Sequence, residues 1–324
     1  MLIIQKFGGS SLAGAEALRR SARISLRAAE AGNEVAVVVS ARGKSTDELL
    51  ALARELSPEP PPRELDALLT TGEQQAAALF AIELEALGHP ARSFTGWQAG
   101  LHAEGAHCDG HIEWVLPERL RGALREGFLP VVTGFQALND EGDLITLGRG
   151  GSDTSAVALA AALGADRCEI YTDVSGIYTA DPRLLPEALP LREIDYEDML
   201  LLARAGSQVL HDRSVALARA LGLEIRLLSS FAPGEGTAVR QVPAERRPAY
   251  AGLTRDKAAG TLTLVGRGAG AGELTRLALC LADWKIPVLD GALREGAVSV
   301  TLPPEHLEPA LRLAHAEFFP AGQS

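Results

Sequence analysis

Short apolar runs alternate along the chain with stretches in which apolar positions return every three or four residues. The runs Leu2–Gln5, Glu34–Ser40, Ala91–Phe94, Leu129–Thr133, Cys168–Thr172 and Glu224–Leu228 read as strands. Ala15–Ala31, Thr46–Leu56, Glu73–Leu87, Glu118–Glu126, Asp153–Leu163, Tyr196–Ala205 and Ser214–Leu221 read as helices. This alternation predicts an α/β fold, three layers deep, with a mostly parallel sheet covered on both faces. The Pro-rich piece Ser57–Arg63 reads as a surface loop between two helices. The charged segment Val242–Pro248 carries two prolines and marks a boundary, giving domains 1–241 and 249–324. Beyond it, Thr261–Val265, Val288–Asp290 and Ala297–Leu302 read as strands, and Glu273–Trp284 and Glu305–Phe318 as helices. That β-α-β-β-α order predicts a small ferredoxin-like α+β module with Leu262, Leu264, Leu277, Leu281, Val298 and Val300 in its core.

Composition narrows the partners. A length of 324 residues, 47% of them hydrophobic, suits two globular domains. The net charge of −11 argues against nucleic acid and requires any anionic substrate to be held by a local basic site. Three scattered cysteines make no disulfide framework. No basic leader precedes the first strand, and no apolar run reaches the ~20 residues of a membrane span. A cytoplasmic protein without membrane association is expected.

The stretch from Thr146 to Asp153 packs an arginine, three glycines, a serine and an aspartate ahead of an apolar helix. Glycines bring backbone N–H groups close to an anion, and the helix N-terminus points at the same place. Arg149 adds a planar fork for a carboxylate or phosphate, while Asp153 prefers a cation. Both signs together suit a zwitterion beside a phosphate. Lys6-Phe7-Gly8-Gly9-Ser10-Ser11 joins a strand to a helix, the setting of a phosphate turn, although its lysine precedes the glycines, unlike a Walker A loop. A plain tight turn explains it equally. Ser40, Ser45 and Thr46 follow the second strand, where open α/β sheets bind ligands, and one of them is expected to cap the next helix. Glu73 is expected in a helix's first turn, where the helix dipole alone would justify it. Tyr171–Arg183 reads as a long loop suited to a nucleotide. His102, His107, Cys108 and His111 resemble zinc ligands, but a polar surface loop accounts for them and no metal site is assigned. Trp97, Trp114 and Trp284 are expected to serve packing.

Taken together these segments resemble the aspartate kinases of the amino-acid kinase family. The matching pieces begin at Lys6, Val38, Thr70, Ser93, Pro130, Thr146, Glu169 and Val209 and run in the family's order over most of residues 1–240. The resemblance implies transfer of the ATP γ-phosphate, with Mg²⁺, to the side-chain carboxylate of L-aspartate, the first step toward lysine, threonine, methionine and diaminopimelate. It implies that Arg149 clamps the α-carboxylate, with Ser40, Thr46, Glu73, Gly150, Gly151, Ser152 and Asp153 around the amino acid and Glu73 and Asp153 near its ammonium. Lys6, Gly8, Gly9 and Ser10 would hold phosphates. Thr172, Asp173, Tyr178, Asp181 and Arg183 would hold the rest of ATP. A carboxylate nucleophile with pKa about 3.9 needs no general base, so Lys6 and Asp153 would act by electrostatics and orientation.

Two departures bear on this. Gln208 stands where the family often carries a phosphate-binding lysine. Aspartate kinases usually carry two ACT domains, small effector-binding modules, and residues 249–324 have room for one. A homodimer through this ACT-like module is expected, weakly or not at all inhibited by lysine and threonine. Two other readings stay open: a weakly active regulatory amino-acid-binding homologue, and a kinase for another acidic metabolite.

Overall fold

The computed structural model describes residues 1–320; the last four residues of the expected second domain lie outside the described residues. In chain order the elements are β1 (Leu2–Phe7), α1 (Ala15–Glu30), β2 (Glu34–Val39), α2 (Ser45–Leu56), α3 (Pro62–Ala86), β3 (Ala91–Phe94), β4 (Leu101–Ala106), β5 (Asp109–Val115), α4 (Glu118–Arg125), β6 (Leu129–Thr133), β7 (Gln136–Leu138), β8 (Leu144–Thr146), α5 (Gly151–Leu163) and β9 (Arg167–Thr172). There follow β10 (Glu193–Asp195), α6 (Tyr196–Arg204), α7 (Asp212–Leu221), β11 (Ile225–Ser229), β12 (Thr237–Arg240), β13 (Gly252–Asp256), β14 (Thr261–Val265), α8 (Ala271–Asp283), β15 (Asp290–Arg294), β16 (Ala297–Thr301) and α9 (Leu307–Phe318). Compactness divides the chain differently from the sequence boundary: one unit holds residues 1–175 and 217–236, the other 176–216 and 237–324.

The first unit is built on parallel strands in the order β11-β9-β1-β2-β6-β3. Parallel pairing buries both faces, which is why the central strands carry apolar runs such as Val35–Val39 of β2 and Val131–Val132 of β6. Phe7, Val35, Val37, Val39 and Val131 face one way and form a core with Leu18 of α1 and Phe80 and Leu84 of α3. Strand alternation turns Lys6 to the opposite face, where α5 packs. A second sheet, β5-β4-β7-β8, stands beside the site.

Several sequence expectations change here. Helix α3 begins at Pro62, so Ser57–Arg63 is only partly a loop. Proline is tolerated at the first helical position because its missing N–H has no partner there anyway. Glu73 consequently lies in the middle of a 25-residue helix, not in a first turn. The histidine-rich segment is a β4–β5 hairpin with Cys108 at a left-handed turn position, φ 68°. Trp284 is exposed, whereas Trp114, also partly open to solvent, packs on His102 with ring centroids 4.1 Å apart.

The second unit contains the parallel pair β10–β12 and an antiparallel sheet in the order β13-β14-β16-β15. Helices α8 and α9 pack on that sheet. Leu262, Leu264, Leu277, Leu281, Val298 and Val300 are all fully buried, as expected. The order is β-β-α-β-β-α, one strand richer than the sequence reading. The additional strand β13 lies beside β14, and the strand expected at Val288 begins instead at Asp290. The Val242–Pro248 segment is tied down: Arg246 pairs with Glu193, and Arg247 with Asp195 and Asp198. Among the described residues no helix is long and apolar enough to cross a membrane.

Candidate active site

The C-terminal ends of β1 and β2 and the N-terminus of α5 open onto a cleft of about 290 Å³ in the first unit. Its lining brings together Lys6, Gly9, Ser40, Thr46, Glu73, Gly150, Gly151, Ser152 and Asp153, nine of the residues singled out in the sequence, and adds Ala41, Gly43, Phe135 and Gly148. The added residues are glycines and apolar groups whose side chains announce no chemistry.

Lys6 and Asp153 meet at 2.6 Å, and both are buried. Asp153 sits in the first turn of α5 and is thereby committed to Lys6. Gly150, with φ 71°, precedes α5 in a left-handed conformation that favours glycine, and no side chain caps the helix. The Gly151 N–H bonds back to the Gly148 carbonyl at 3.1 Å, which leaves the amides that follow it in the first turn for an anion. Arg149 is exposed between Gly148 and Gly150, and its side chain forms no ion pair with another described residue.

Glu73 comes from the middle of α3. Its Oε1 accepts the N–H of Ala41 at 3.0 Å, whereas Oε2 is buried without a hydrogen-bond partner. Burial pushes its pKa from 4.5 up to about 7, against the lowering effect of the Ala41 N–H. Gly72 makes this contact possible: a β-carbon there would lie 2.9 Å from the Cβ of Ala41, so any larger residue would hold α3 away from the end of β2. Around Thr46, the expected hydroxyl cap is absent. Lys44 is the N-cap residue of α2 without a side-chain bond, and the Ser45 hydroxyl donates back to the Arg42 carbonyl.

The turn after β1 is held by Gly8 N–H to the Tyr171 carbonyl, 3.2 Å, and Gly43 N–H to the Gly9 carbonyl, 2.9 Å. Ser10 is exposed on it. Thr172 ends β9, adjacent to β1, and its hydroxyl donates to the exposed Asp173 at 3.0 Å. Tyr178, Asp181 and Arg183 belong to the second unit. There Arg183 pairs with Asp181 at 3.0 Å. The neighbouring Thr179 hydroxyl bonds His315 of α9 at 2.8 Å. Gln208 is exposed in the same unit. The histidines of the β4–β5 hairpin each meet carboxylates: His102 with Glu113 and Asp140, His107 with Asp66, and His111 with Glu104.

The amino acid kinase family profile matches residues 1–229. The chain is 47% identical over 292 residues to an aspartokinase of Corynebacterium glutamicum, covering 89% of this chain and 69% of that one. An aspartate kinase structure from Synechocystis superposes with TM-score 0.67 at 38% identity, over 97% of this chain and 54% of its own. E. coli aspartokinase III in complex with aspartate and ADP superposes with TM-score 0.71 at 27% identity, over 93% of this chain and 78% of its own. The present chain thus spans about two thirds of the first relative and about half of the Synechocystis chain. By sequence and by fold, this chain belongs to the amino acid kinase family and, within it, to the aspartokinases.

Proposed function

We propose that the protein is an ATP-dependent aspartate kinase that converts L-aspartate to 4-phospho-L-aspartate, serving the synthesis of lysine, threonine, methionine and diaminopimelate in the cytoplasm. The observation that carries the reading is one cleft offering complementary partners for both charges of an amino acid. The unpartnered Glu73 Oε2 receives an ammonium. The uncapped N-terminus of α5, with Arg149 beside it, receives the α-carboxylate. Ser40 and Thr46 border the same space. Family membership, and a relative structure that holds aspartate and ADP, support this assignment.

The acceptor carboxylate is already ionised at neutral pH, so the chemistry reduces to in-line alignment and charge neutralisation. Lys6, fixed by Asp153, meets the phosphoryl oxygens, and the turn after β1 offers the backbone N–H groups of Gly9 and Ser10 to the phosphates, that of Gly8 being bonded to the Tyr171 carbonyl. Asp153 acts by holding Lys6 rather than by contacting the substrate ammonium. Thr172, Asp173, Tyr178, Asp181 and Arg183 are assigned to the nucleotide. Mg²⁺ binds mainly to substrate phosphates and retains waters, which suits a cleft whose Asp153 is already committed to Lys6; when bound it neutralises phosphate charge. The decisive assay traps the acyl phosphate with hydroxylamine. Aspartyl hydroxamate should form with Mg²⁺, ATP and L-aspartate; reaction with glutamate or N-acetylglutamate instead would overturn the substrate.

The ACT-like module is assigned a homodimeric contact. Its edge strand β15 is exposed throughout, and Leu279, Trp284, Leu289 and Leu293 are exposed apolar residues in the same module. Sedimentation should give a dimer, and a monomer would remove the claim. Lysine and threonine should inhibit this chain weakly or not at all; steep inhibition by either would overturn that reading.

A further inference from the structure

Seven residues before Glu73, on the same helix, lies a second carboxylate that the chemistry above does not use. Asp66 is completely buried. Its Oδ1 accepts the Thr146 hydroxyl at 2.5 Å, and its Oδ2 accepts the Cys108 N–H at 3.0 Å and contacts His107 Nδ1 at 2.8 Å. No lysine or arginine pairs with it among the described residues. A carboxylate placed so deeply carries a desolvation cost that a well-packed apolar residue does not, and here hydrogen bonds from three partners offset it. Those partners come from two other elements, the β4–β5 turn and the last residue of β8.

We infer that Asp66 is a positioning residue, which anchors the Gly148–Gly150 loop to α3 and so sets the spacing between Arg149 and Glu73. The inference rests on the reading of the cleft as the amino-acid site. Positions 66, 70 and 73 follow helical spacing and share a face of α3. Each fastens a different cleft-forming segment to it. Asp66 holds Thr146, the Thr70 carbonyl accepts the Gln136 side-chain amide at 3.0 Å, and Glu73 holds the Ala41 N–H. Gln136 and Thr146 are themselves partners across β7 and β8, so two of these fastenings converge on one ribbon. Little slack separates that ribbon from the loop. Leu147 is buried and donates its N–H to the Phe135 carbonyl at 2.9 Å, and Gly148 already lines the cleft. A shift at Thr146 is passed on to Arg149, while the turn after β1 keeps its own bonds, Gly8 N–H to the Tyr171 carbonyl and Gly43 N–H to the Gly9 carbonyl.

The test is Thr146→Val, which keeps the shape and removes the hydroxyl that Asp66 fixes. With ATP saturating, KM for aspartate should rise about tenfold, as expected for loss of one hydrogen bond to a charged group, while kcat and KM for ATP stay within about twofold. Thr146→Ser should restore the wild-type KM. Combining Thr146→Val with Asp66→Asn should raise KM by less than the product of the single effects, because both act on one contact. His111→Gln, on the same hairpin but paired outside the network with Glu104, should leave the constants unchanged. Thr146→Val that lowers thermal stability yet leaves KM for aspartate unmoved would reduce Asp66 to a fold-stabilising role and overturn the inference. So would equal losses in kcat and in both KM values. The underlying site assignment fails by a separate result: aspartate binding left intact by Arg149→Ala and Glu73→Gln.

Discussion

Glu73→Gln offers a sharp examination of the cleft. The side chain keeps its size and can still accept the Ala41 N–H, but it can no longer ionise. In the wild type, burial carries the carboxyl from 4.5 to about 7, an ionisation cost of about 3 kcal/mol at ~1.4 kcal/mol per pH unit. An ammonium placed against Oε2 stabilises the ionised form, so aspartate binding should expel a proton. If only ionised Glu73 binds well, the apparent KM for aspartate should fall about tenfold between pH ~6 and ~8, following the ionised fraction. In Glu73→Gln it should be flat across that window and about 10- to 100-fold higher, reflecting loss of a charge-assisted hydrogen bond. Titration calorimetry with aspartate alone, in buffers of different ionisation enthalpy, isolates the effect from ATP; near pH 7 about half a proton should leave per site. Stability moves oppositely. Burial favours the neutral carboxyl, so its stabilising contribution is complete below 4.5 and is lost as pH rises through about 7. The unliganded wild type should therefore lose stability relative to Glu73→Gln over that range. A wild-type KM independent of pH, or a Gln variant that retains the same proton release, would refute the placement of the ammonium at Glu73.

Lys6→Ala should lower kcat by about 100-fold with a smaller change in KM for aspartate, because Lys6 meets charge that develops on the phosphoryl group; steady-state kinetics decide this. The same variant leaves Asp153 buried without its partner and should melt at lower temperature. Arg149→Ala should instead raise KM for aspartate with kcat nearly preserved, since the α-carboxylate is unchanged by the reaction. Gly72→Ala should destabilise the protein by about 1–3 kcal/mol in denaturant melts despite alanine's better helix propensity, because its Cβ would lie 2.9 Å from that of Ala41.

Strands β2 and β6 were legible because burial on both faces leaves apolar runs such as Val35–Val39 and Leu129–Val132. Ala91–Phe94 and Leu129–Thr133 match their sequence boundaries residue for residue. Strands β7, β8 and β10 are three residues long, too short for a period to register. The first half of α3 was hidden by its prolines, and that omission misplaced Glu73. Read at a helix start, Glu73 needed no function. Inside a buried helix face it has no structural excuse for an unpartnered oxygen. The glycine and serine motifs of the cleft were visible as a set, because backbone approach to a ligand demands particular residues at particular places. Asp66 was not visible: its partners lie 41, 42 and 80 residues away, and nothing local distinguishes it from a helix-surface aspartate.

The charges of the cleft also explain how a chain of net charge −11 can receive anionic substrates. Before binding, the buried cleft carries a Lys6–Asp153 pair that cancels, and a Glu73 held largely neutral below about pH 7. Neither arrangement adds net negative charge where the phosphates must sit. An unpaired Asp153 would do so, at an energy that grows steeply as water is excluded. Pairing it with Lys6 removes that repulsion and fixes the lysine for the phosphoryl group in one step. Ionisation of Glu73 is deferred until a cation arrives to match it. On the proposed reading of the cleft, the amino acid enters with its ammonium compensated by Glu73 and its α-carboxylate by Arg149 and the amides of α5. Only the side-chain carboxylate is left without a counter-charge, and that is the group required to act as nucleophile.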